Sequence, residues 1–100
     1  MPIGSFVNSL PPAVFLLIHV VLFLIGAYFA QRAFSGGASL LGWAFALFAV
    51  AEISYMTYHL DWTVFLFAHT ISEVLDVVAF ILVFSYATQR ALFSAPARAR

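Results

Sequence analysis

Between Ala51 and Asp76 the chain reads AEISYMTYHLDWTVFLFAHTISEVLD, and this stretch holds all four of its carboxylates, Glu52, Asp61, Glu73 and Asp76, together with His59 and His69. Carboxylates and imidazoles are the groups that bind transition metals, carry protons and join helices in apolar surroundings. Most of the stretch lies inside or beside apolar sequence. An ionisable group is expensive in hydrocarbon, so a cluster of them requires partners, a water-filled cavity or a function.

The spacing sorts these groups into faces. His69, Glu73 and Asp76 fall at i, i+4 and i+7, which places them on one face of a helix. Glu52, Tyr55 and His59 fall at i, i+3 and i+7 and form a second stripe. The third histidine, His19, sits in an earlier apolar segment. Folding the chain at its two turn-like stretches brings His19, Glu52 and His69 to a common level, about 13 Å below the turn at Leu60 and Asp61. Glu73 then lies about 6 Å deeper along its helix, and Asp76 about 4.5 Å deeper again. His59 and Asp61 sit at the mouth.

Four kinds of chemistry suit this set. The first is structural: a Glu–His pair, or a protonated Glu, can hold helices together. The second is a metal centre, with His19, Glu52, His69 and Glu73 as ligands and zinc, iron, manganese or copper as the metal. The third is a tetrapyrrole held by His19 and His69, although Glu52 at the same level opposes a broad planar ligand. The fourth is proton movement along a ladder from Asp61 through His69 to Asp76. In the metal and relay readings Tyr55, His59, Asp61 and Asp76 are supporting or relay groups.

The elements that must position these residues are long and apolar. Hydrophobic residues make up 65% of the 100-residue chain and charged residues 8%, against about 25% charged in ordinary soluble domains. Such a composition expects lipid, or another apolar protein surface, as its solvent. Three spans are expected, over 12–31, 38–59 and 62–89, with a short basic tail over 90–100. Pro11 and Pro12 can open the first span. Ser35-Gly36-Gly37 and Leu60-Asp61 supply the turns. Gly26 and Ala30 on the first span, and Gly42, Ala44, Ala46, Ala49 and Ala51 on the second, permit close helix approach. The fold class is therefore an all-α integral membrane protein, a single domain of three transmembrane helices in an up-down-up bundle.

Orientation follows from the cations. The chain has no Lys, and its four arginines are Arg32, Arg90, Arg98 and Arg100. All four fall on the side of the first turn and the C-terminus, so the positive-inside rule puts the N-terminus outside and the C-terminus in the cytoplasm. The start, MPIGSFVNSLPPAVF, lacks the basic region of a secretory signal and reads as retained. A plasma or energy-transducing inner membrane is the expected location.

Several classes drop out. There is no Cys, hence no disulfide, thiolate site or cysteine nucleophile. Gly36-Gly37 is a turn and not a phosphate-binding loop. Ser54, Ser72 and Ser85 lack a nucleophile motif, and Ser72 reads as a helix serine bonded to backbone. Net charge is zero, so overall charge gives no reason for a nucleic-acid partner. The reading is a small membrane subunit or accessory protein of a larger assembly, not an enzyme by itself. Its expected partners are the lipid bilayer and other membrane subunits or further copies of the chain. The alternatives are a metal- or haem-binding redox protein and a proton-relay component of a transporter or energy-transducing complex.

Overall fold

The computed structural model describes residues 2–98, and side chains for 2–92. A short 3-10 helix over Ser5–Ser9 is followed by three α-helices: α1 (Pro12–Ser35), α2 (Ser39–His59) and α3 (Phe65–Arg98). All three contain stretches long and apolar enough to cross a membrane. Each can therefore satisfy its backbone internally in an apolar solvent, as a spanning segment must.

Pro11 and Pro12 start α1, where the missing N–H is no loss. Both interhelical turns close in the same way. After α1, Gly37 takes φ 82°, its N–H donates to the Phe34 carbonyl, and the Ala38 N–H donates to the Ala33 carbonyl. After α2, Asp61 takes φ 64°, its N–H donates to the Tyr58 carbonyl, and the Trp62 N–H donates to the Thr57 carbonyl. Each is a Schellman closure with its left-handed residue at the expected place. Glycine fills that place at no steric cost; an L-residue fills it at some cost, which Asp tolerates better than most.

The hairpins are antiparallel and use small residues where backbones approach. A Cβ on Gly26 would lie 2.9 Å from a Phe48 ring carbon and 3.3 Å from the Phe45 carbonyl. A Cβ on Gly42 would meet the Phe34 ring at 2.7 Å. On the other side of α2, Ala51 faces Ser72, whose hydroxyl donates to the Ala51 carbonyl at 2.9 Å. Ser72 and Ala68 are completely buried.

α2 is the shared wall. It packs along α1 and along α3, whereas among the described residues no Cα of α1 comes within 8 Å of one in α3. The bundle is thus open along one side, with α2 at the bottom of a cleft.

Three boundaries differ by three residues or more from the sequence expectation. α1 runs on past 31 to Ser35, where the glycine turn closes it. The third helix starts at Phe65 and not at Trp62, because the Schellman closure and a Thr57–Thr63 hydroxyl contact of 3.0 Å extend the turn. It also runs on through the expected tail to Arg98, since Ala91, Leu92 and Phe93 continue a helix-compatible sequence. Residues 99 and 100, and the side chain of Arg98, which entered the orientation argument, lie outside the described part.

Candidate functional site

The polar groups of α2 point into the cleft and reach both neighbours. Glu52 is 7% exposed, and its Oε2 is hydrogen-bonded to the Nδ1 of His19 on α1. One turn along, the Tyr55 hydroxyl and the Nδ1 of His69 on α3 are 3.3 Å apart. The Tyr55 ring also stacks on the His19 imidazole, with centroids 5.1 Å apart. Tyr55 therefore joins all three helices.

Above this layer the rings continue. His19 stacks on His59 at 5.3 Å, and His59 stacks on Phe15 at 4.9 Å. On the α3 side, Phe65 stacks on His69 at 5.2 Å. The column ends at a hollow of about 350 Å³ where the 3-10 helix crosses the end of the bundle. Asn8, Tyr58, His59 and Asp61 give this hollow its polar lining. Asp61 itself is exposed in the turn.

Of the three groups expected at one level, the structure brings His19 and Glu52 together and gives His69 to Tyr55 instead. The longer second turn explains this. It shifts α3 so that Ser72, and not His69, stands beside Ala51 and Glu52. Glu73 is exposed on α3, over a surface hollow shared with Val74, Val77 and Val78. Asp76 is half-buried and lines an apolar groove between α2 and α3. Neither carboxylate has a hydrogen-bond or ion-pair partner among the described residues.

This placement bears on the ligand readings. Among the described residues no three or more His, Asp or Glu side chains are grouped so that they could hold a metal ion. Tyr55 lies against both His19 and His69, so a macrocycle held between those imidazoles would have to displace it. Sequence reasoning assigned Tyr55 a supporting part; its place midway between two histidine-bearing helices makes it the central connector. Ser72 is a helix serine bonded to backbone, as its sequence suggests, and the carbonyl that it reaches is that of Ala51 on α2.

No protein-family model, curated protein or solved structure matches the chain.

Proposed function

We propose that this chain is a small integral membrane subunit of a larger membrane assembly, inserted with its N-terminus outside and its C-terminus in the cytoplasm. The observation that carries the proposal is the open side of the bundle. Among the described residues no Cα of α1 comes within 8 Å of one in α3, and Asp76 stands without a hydrogen-bond or ion-pair partner in an apolar groove between α2 and α3. A carboxyl group at membrane depth favours an arrangement in which protein, not acyl chain, completes its surroundings. Within this reading the His19–Glu52 and Tyr55–His69 contacts hold the three helices in one arrangement, and the outward surface receives other subunits.

Native electrophoresis and crosslinking after mild-detergent extraction test the reading. The expected species is larger than the 11.0 kDa chain. A monomer at native abundance, with crosslinking negative, would overturn it. For orientation, a cysteine at Asp61 should react with an impermeant reagent from outside, and one at Ser35 only from inside.

One observation favours a second reading, proton uptake from the outer side. The hollow at the mouth is walled by His59, whose ring lies on His19, and His19 is bonded to Glu52. In vesicles, the infrared carbonyl band of Glu52, identified by its loss in Glu52→Gln, should then respond to external pH. A band insensitive to external pH counts against uptake and leaves the subunit reading standing.

A further inference from the structure

The groove between α2 and α3 lies apart from the polar contacts that join the helices, although Phe45 and Phe48, two of its walls, also meet α1. It has a volume of about 390 Å³, and its walls are Phe45, Phe48, Phe80 and Val83, with Asp76 as its one ionisable group. One turn earlier on α3, Glu73 faces outward. We propose that this face of α3 docks one transmembrane helix of a different chain, and that this helix carries a Lys or Arg at mid-membrane that pairs with Asp76. The proposal rests on the subunit reading and adds the chemistry of the partner.

Depth and charge select this occupant. At 1.5 Å per residue Asp76 lies about 16 Å along α3 from Phe65, and Arg90 lies about 21 Å further on. Asp76 is therefore deep in a hydrocarbon layer about 30 Å thick. Among the described residues a second copy of this chain has no free Lys or Arg there. The chain contains no Lys. Arg32 and Arg90 both stand at the far end, beside Tyr28 and Tyr86. His19 and His69 are engaged with Glu52 and Tyr55. Lipid amines stay at the headgroup level and do not reach this depth.

The groove also suits a basic side chain. Its phenyl walls can pack the methylene stem of Lys or Arg while the charged head meets the carboxylate. Aromatic faces attract a desolvated cation as well. Glu73 is about 4.5 Å away along the axis and about 60° round it, over the neighbouring hollow of Val74, Val77 and Val78, within the width of a helix laid along α3. A small molecule lodged in the groove would satisfy Asp76 and leave Glu73 facing hydrocarbon. A helix laid along α3 covers both.

Photocrosslinking in native membranes tests this. A photoreactive phenylalanine analogue replaces Phe80, at the groove, or Trp43, which is exposed on α2, and the captured peptides are sequenced. From Phe80 the expected adduct is a transmembrane segment of another chain with Lys or Arg at the depth of Asp76. Asp76→Asn should lower its yield about tenfold or more, since removing one member of a desolvated charge pair strands the other. Asp76→Lys should abolish capture, and exchanging the partner's basic residue for Asp should restore it. An adduct that is a second copy, a segment without Lys or Arg, or lipid alone would overturn the proposal. If the native complex persists with Trp43 crosslinked and Phe80 silent, this inference fails and the subunit reading survives. If both positions are silent and the chain runs as a monomer, both fail.

Discussion

Glu52 and Asp76 are both carboxyl groups set deep in apolar helices, and the structure treats them differently. Glu52 sits on the central helix, with a neighbour on each side, and is bonded to His19. Asp76 sits on a flanking helix, has α2 on one side only, and finds no partner within the described chain. The difference lies in position and not in residue chemistry. A central helix can satisfy its polar groups within the chain, whereas a flanking helix turns some of its surface toward whatever surrounds the protein. On the proposed reading the first carboxylate belongs to the folding of the chain and the second to its association.

That contrast can be broken most directly at Glu52. Glu52→Ala should destabilise the isolated chain by about 3 kcal/mol, because it leaves the half-buried His19 nitrogen without its hydrogen-bond partner. Reversible unfolding in mixed micelles measures this, and a loss below about 0.5 kcal/mol would erase the distinction between the two carboxylates. Gly26→Val comes next, at about 2 kcal/mol. Its added atoms would fall on Phe48 and the Phe45 carbonyl, so the α1–α2 seam should open first, read as faster amide exchange in α1 than in α3. Tyr55→Phe removes one hydroxyl between helices and should cost about 0.6 kcal/mol, the usual worth of such a bond in a membrane. The smallest effect is expected at Asp76. Asp76→Asn should change the stability of the isolated chain by less than about 0.5 kcal/mol while lowering the recovery of the native assembly. A large loss of stability in the isolated chain would assign Asp76 to the fold after all.

Much of the architecture could be read from the sequence. The hydropathy of the three helices and the Pro11-Pro12 start needed no tertiary information. The level of His19 with Glu52 came from counting back from Ser35-Gly36, because a turn closed by glycine leaves little freedom in register. The second turn was harder. Leu60-Asp61 suggested a tight reversal, but Asp61 takes the left-handed position and Thr57 meets Thr63, so residues up to Val64 are spent before α3 begins. A hydroxyl contact six residues apart leaves no periodic trace in a sequence. The shift it causes moved His69 from Glu52 to Tyr55 and set Ser72 against Ala51. The open side of the bundle was also hidden, because alternate small and large residues on α2 suit two neighbours equally well whether or not those neighbours touch each other.

The closure around Asp61 governs more than where α3 starts. Successive residues on a helix are turned by about 100°, so the length of the 60–64 segment sets the rotational phase of the whole third helix. One residue more would swing Ser72 off the Ala51 carbonyl and carry Asp76 about a quarter-turn away from the groove. The lateral surface of α3 is thus indexed by a turn at the end of the bundle, some 16 Å along the helix from Asp76. Length changes in this turn should be tolerated far less well than its exposure suggests, and substitutions that keep its length, such as Asp61→Gly or Asp61→Asn, should leave the indexing unchanged.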